Sequence, residues 1–141
     1  MPSARPHAAT TLDLLARADE ALTNGYSASA ASARYLAASL AALRAAAALV
    51  AARPSAPAHG PGPHDVWALA ASAAPELAEW AQRFTAVTGH RVGVETGLVR
   101  VSAREADDLL RDAEAFVDLA ARRLGVPAPH PPRRLVPVRS A

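Results

Sequence analysis

Apolar and polar positions separate most cleanly between Val101 and Leu124, and that stretch predicts one long amphipathic helix. Ala106, Leu109, Leu110, Ala113, Phe116, Val117, Ala120 and Leu124 fall on one stripe at helical spacing. Arg104, Asp107, Asp108, Arg111, Glu114, Asp118 and Arg122 fall opposite. Ser102 and Glu105 have the spacing of a capping box, in which a hydroxyl accepts from an orphan amide and a carboxylate reaches back. Gly125 followed by Pro127 predicts the stop. Leu119 lies among the charges, either an ordinary exposed leucine or the mark of a partner-facing side. A helix this one-sided needs neighbours to cover its apolar stripe.

The same periodicity predicts further helices upstream. One spans about Thr11 to Asn24, with Thr10 as N-cap, a buried stripe of Leu14, Leu15, Ala18 and Leu22, and Gly25 as its stop. A second spans about Ser29 to Ala52 on the stripe Leu36, Leu40, Leu43, Ala47 and Val50, with Arg34 opposite and Arg44 at its flank. Residues 53–64 are rich in proline and glycine and read as a linker. Asp65 opens a short helix, and Pro75 either kinks it or begins another. The helix after Pro75 runs to about Thr88 with Leu77, Trp80, Ala81, Phe84 and Val87 inward, and Gly89 ends it. Residues 89–101 then form an irregular connection. The expected architecture is all-α: an antiparallel up-and-down bundle of four main helices plus a short fifth, over residues 10–125. Residues 1–9 and the Pro/Arg-rich segment 126–141 read as disordered ends.

Composition changes this picture in two places. The chain of 141 residues is 51% hydrophobic but only 4% aromatic, so alanine carries much of the core and each Trp, Phe or Leu matters disproportionately. Trp67 and Trp80 are read as core anchors. Every basic residue is arginine, which together with the alanine and proline excess matches the codon bias of a GC-rich genome. Net charge is +2, yet no acid occurs between Glu20 and Asp65, an interval holding Arg34, Arg44 and Arg53. These three are candidate contacts to a polyanion such as nucleic acid. No cysteine is present, and no charged lead-in followed by an apolar block marks a signal peptide. The apolar run 36–52 is interrupted by Arg44 and dominated by alanine, so a soluble cytoplasmic protein is expected, with no membrane partner.

Candidate chemistry is sparse. Neither GxxxxGK[ST] nor GxGxxG nor HExxH nor a Gly-x-Ser-x-Gly elbow occurs, so no metal site and no cofactor are called for. Asp107 and Asp108 are adjacent acids, but each has an arginine four residues away and belongs to a solvated helix face.

The blocks TLDLLARADEAL, YLAASLAALRAAAALV, VWALAASAAPELAEWAQRF and SAREADDLLRDAEAFVDLA follow one another in that order. This succession resembles an actinobacterial branch of the HEPN superfamily (higher eukaryotes and prokaryotes nucleotide-binding domain) over residues 11–124. The resemblance implies a compact bundle of four or five helices that often forms a homodimer. It also implies RNA, a nucleotide or a protein as partner. Some such proteins are metal-independent ribonucleases built around an arginine separated by four to six residues from a histidine. Arg83 and His90 match that spacing with Phe84 after the arginine, as do Arg53 with His59 and Arg123 with His130 at the level of bare spacing. Because Gly89 is expected to end the helix before His90, the nuclease motif is read as degenerate or missing. The expected function is a non-catalytic binding module; the alternatives are a toxin-like ribonuclease using Arg83 and His90, and a purely structural or adaptor bundle.

Overall fold

The computed structural model describes residues 4–53, 63–126 and 133–139, with the side chains of 4–9 and 63–65 left aside. It is all-α: α1 (Ala4–Ser27), α2 (Ala31–Ala51), α3 (Pro63–Ala73), α4 (Ala78–Glu95) and α5 (Ala103–Arg123), with one 3₁₀ turn at Pro75–Leu77 leading into α4. No strand occurs among the described residues. The core of the expected linker, 54–62, lies outside them.

The central element is α2. It packs against α1, α3, α4 and α5, and against α1 and α5 most extensively. A helix covered on so many sides cannot carry large residues all round, and α2 does not. Apart from Arg34, its fully enclosed positions are Ala38, Ala41, Ala42, Ala45, Ala46 and Ala48; of the predicted stripe Val50 is buried, whereas Leu36, Leu40 and Leu43 are only half-buried at the flanks. The seam is therefore alanine, not the leucine stripe that the periodicity suggests. Small side chains let helix axes approach, so dispersion contacts come from backbone and methyl groups.

Large side chains concentrate where α3, α4 and α5 meet. Trp67 is 1% exposed and stacks on Phe84 at 5.1 Å between ring centroids. Phe116 of α5 tilts against Trp67 at 5.6 Å and Trp80 at 5.7 Å. The Trp67 indole Nε1 donates to Thr88 Oγ1 at 3.0 Å, so its polar edge is satisfied inside the cluster. Trp80 closes the cluster from outside and stays half-buried. Leu119 also packs against the core, so it does not mark an exposed side.

Glycine is where local signals mislead. α1 begins at Ala4 rather than Thr11, consistent with the alanines of its first turns and with Pro6 near its start. It continues through Gly25, which is buried because Leu110 of α5 lies against it: a Cβ there would come within 2.8 Å of Leu110 Cδ1. α4 likewise passes through Gly89 and Gly93 to Glu95. Its actual stop is Gly97, at φ +80°, and the chain then folds back so that Val99 N donates to Gly93 O at 2.9 Å. Gly93 serves that return, since Val99 Cγ2 sits 2.5 Å from where its Cβ would be. The predicted ends of α5 hold: Ser102 Oγ accepts from Glu105 N at 3.0 Å, Glu105 Oε1 from Ser102 N at 3.3 Å, and Gly125 adopts φ +71°.

The C-terminal segment departs furthest from expectation. Residues 133–139 do not hang free but lie across the α1–α2 turn, with Val136 N donating to Tyr26 O and Arg139 N to Ser29 O, both at 2.9 Å. A segment rich in Pro and Arg buries little apolar surface, and that property predicted disorder. What holds it is polar.

Urea denaturation provides the check on this architecture. Trp67→Ala is expected to cost about 3–5 kcal/mol, through lost burial plus a cavity, and Trp80→Ala less because its outer edge already meets water. Ser102→Ala is expected to cost about 0.5–2 kcal/mol.

Candidate functional site

Three arginines of the acid-free interval were candidates for a basic surface, and the fold uses them otherwise. Arg34 is 0% exposed. Its Nε donates to Gly25 O at 2.9 Å, Nη1 to Asp107 Oδ1 at 2.6 Å, and Nη2 to Tyr26 O, Ala28 O and Val136 O. A guanidinium carries its charge at every pH a protein meets, so burying it demands acceptors for the whole fork. The end of α1, one acid of α5 and the C-terminal segment supply them. Arg34 therefore does not present itself to a polyanion. Arg44 Nη1 donates to Arg17 O and Arg53 Nη1 to Leu69 O, each at 3.2 Å, and both side chains are half-buried. In an interval without carboxylates, these cations find backbone carbonyls of neighbouring helices.

The remaining candidates share α4. Phe84, Ala81 and Val94 turn inward from this helix, which fixes its outward side. Arg83 and His90 are seven residues apart on the continuous helix, so they lie about 20° apart in phase and about 10 Å apart along the axis. Both are exposed. Because α4 does not end at Gly89, the two side chains share one helix side, contrary to the expectation that the glycine would break the pairing.

Arg83 is not idle on that side. Its Nη1 bonds Asp112 Oδ2 of α5 at 2.9 Å, and its guanidinium carbon lies 5.6 Å from the centroid of the Trp80 ring. Ion pairing and cation–π contact hold the arginine toward α5. Of the two alternative spacings, Arg123 pairs with Glu76 of the 3₁₀ turn, and the histidines of both, His59 and His130, lie outside the described residues.

A second polar centre was not foreseen. Arg133 has a side chain only 7% exposed, with Nη1 2.9 Å from Glu114 Oε2, Nη2 on Asp19 Oδ1, Nε 3.1 Å from Thr23 Oγ1, and the Tyr26 ring 5.8 Å away. Tyr26 OH donates to Glu114 Oε1 at 2.6 Å. Burial, reinforced by the hydrogen bond and charge of Glu114, pushes the Tyr26 phenol up to about 12. Burial and the charge of Glu105 raise Tyr35 as well. Nothing in local spacing announces this centre, because its parts lie 19 to 114 residues apart in sequence.

Comparison with known proteins adds one finding. The profile of the SAV_6107-like HEPN family matches residues 25–121, well over half of the chain. The chain belongs to the HEPN family. The match begins at Gly25, the residue whose carbonyl receives Arg34, and ends near the close of α5. It thus covers α2 to α5, including the whole of α4 with Arg83 and His90. No curated protein and no solved structure matches the chain. The family resemblance in the sequence and the all-α architecture it implies are thus both found.

Two measurements follow from the polar centres. Arg34→Ala is expected to destabilise by about 3–5 kcal/mol, because Asp107 and several carbonyls lose their donor at once. Arg34→Lys recovers only part of this, since an ammonium cannot reproduce the fork. In an alkaline absorbance titration, Tyr26 is expected to ionise near pH 12 and the signal to vanish in Tyr26→Phe. The folded state holds the phenolic proton more tightly than an unfolded chain with a phenol near 10. That contribution to stability is complete below about pH 10 and is lost as pH rises through about 12.

Proposed function

We propose that this HEPN-family protein is a non-catalytic binding module for RNA or a nucleotide, presented along the outward side of α4. The observation that carries the reading is the state of the Arg83–His90 pair. Arg83 is already bound to Asp112 and stacked on Trp80, and His90 is exposed to water. Cleaving RNA without a metal needs an imidazole within hydrogen-bond reach of the reacting hydroxyl. It also needs a guanidinium aimed at the same phosphate in a site that restricts water. A convex helix side with its arginine turned to a carboxylate supplies binding surface rather than such a cleft. A phosphate can compete for Arg83 without breaking the fold, because an exposed ion pair contributes little to stability. The family resemblance adds the expectation of a homodimer, and the composition that of a cytoplasmic protein.

One observation favours the ribonuclease reading instead. α4 runs unbroken through Gly89, so Arg83 and His90 sit on one side of a single helix. Two copies placing their α4 helices together would enclose both pairs.

RNA incubation in EDTA distinguishes the two. The expected outcome is no cleavage by the wild type, with binding seen by fluorescence anisotropy that weakens steeply as salt rises. Arg83→Ala is expected to weaken that binding by about three- to tenfold at low salt while leaving the melting temperature within a few degrees. Cleavage by the wild type that disappears in both Arg83→Ala and His90→Ala would establish the ribonuclease.

A further inference from the structure

We propose, on the reading of α4 as a surface for RNA or a nucleotide, that Asp112 is a built-in competitor for the ligand there. An unpaired nucleotide binds by drawing Arg83 from Asp112 onto its phosphate and laying its base on the Trp80 ring that Arg83 uncovers.

The site is the seam between α4 and α5. α4 packs mainly on α2 and α3, and α5 on α1 and α2, so this seam is closed chiefly by side chains. Trp80, Phe84 and Phe116 form its floor. The Trp80 ring stacks on Phe84 with centroids 5.9 Å apart and planes at 12°, and tilts against Phe116 at 5.7 Å. These contacts hold the indole at a set angle while leaving it half-buried rather than enclosed. What lies over the ring is the guanidinium of Arg83, 5.6 Å from the centroid, and the same group crosses the seam to Asp112 Oδ2 at 2.9 Å. The ion pair stands in water: the two side chains are 57% and 36% exposed.

Each of the two contacts has the chemistry of one part of a nucleotide. Phosphate oxygens accept from a guanidinium as a carboxylate does, and in a bidentate pair they take two N–H groups at once. Arg83 gives Nη1 to one oxygen of Asp112, so a phosphate can improve on that bond. A planar guanidinium on an aromatic ring holds the place a planar base takes by stacking. Because an exposed ion pair contributes little to stability, the exchange leaves the fold intact. Asp112 therefore works against ligands that offer only half of the exchange. A phosphate without a base displaces the carboxylate and leaves the ring bare. A duplex keeps its bases stacked on one another.

The test uses the full chain in EDTA at low salt, with a short end-labelled single-stranded RNA read by anisotropy, beside the same probe made abasic. Asp112→Asn is expected to tighten binding of the intact probe about two- to fivefold, the range an exposed ion pair commands. In an Arg83→Ala background the same substitution is expected to gain nothing, which separates release of Arg83 from general loss of negative charge. The wild type is expected to bind the abasic probe about tenfold more weakly than the intact one, and Trp80→Leu to weaken the intact probe alone by a similar factor. Should circular dichroism find Trp80→Leu unfolded, the comparison of intact with abasic probe on the wild type decides. An equal gain from Asp112→Asn with and without Arg83, or equal affinity for the two probes, overturns the proposal and leaves α4 as a binding surface. Absence of RNA binding by every chain overturns both.

Discussion

A guanidinium removed entirely from water imposes demands on everything around it, and Arg34 is such a group. Its five N–H donors need acceptors, and the charge needs a counter-charge of good geometry. The fold meets these demands with the last carbonyls of α1, the turn that follows, Asp107 of α5 and the carbonyl of Val136. Helix C-termini are apt for this, because their final carbonyls lack intrahelical partners and carry the negative end of the dipole. One side chain thereby fixes where α1 stops, how α2 departs, how α5 lies alongside and where the C-terminal segment crosses. The buried cation ties these parts of the corner to one another.

Two modes of packing coexist in the bundle. Around α2 the helices meet through alanine, with close approach and little room for a side chain of another size. Between α3, α4 and α5 they meet through two tryptophans and two phenylalanines in mutual contact. Trp80 of this cluster lies against Arg83, so the aromatic core and the outward side of α4 meet at that contact. The loop after α4, with its return onto Gly93, instead leaves Leu98 and Val92 largely in water.

How much of this could be read from the sequence depends on whether the signal was local. The amphipathic period and the cap of α5 depend on residues within a few turns of each other, and both ends of α5 fall where the sequence puts them. The stripe of α2 was placed on leucines because leucine is the larger apolar residue. Alanine at the true seam has too little hydrophobic contrast to stand out in an alanine-rich segment. Gly25 and Gly89 were read as stops through their backbone freedom, whereas tertiary packing kept both helical. Only Gly97 and Gly125 have the positive φ that a glycine stop requires. Arg34 reads in the sequence as a candidate polyanion contact and Arg83 as half of a nuclease spacing, and their partners Asp107 and Asp112 are supplied by α5, 73 and 29 residues away. An arginine selects among carboxylates by three-dimensional proximity, and no spacing rule encodes that choice.

The apolar character of α2 has a consequence during synthesis. Among the described helices it alone is long and apolar enough to cross a membrane, and most of that stretch is enclosed by the rest of the bundle. As the chain leaves the ribosome, α2 emerges after α1, while α3, α4 and α5 are still unmade. For that interval an alanine–leucine surface is open to whatever recognises nascent apolar helices, and Arg34 is a cation whose carboxylate partner has yet to be translated. Its full set of partners is assembled last, when α5 and then residues 133–139 arrive. Residues 133–139, translated after all five helices, are therefore the ones that close the coordination of Arg34.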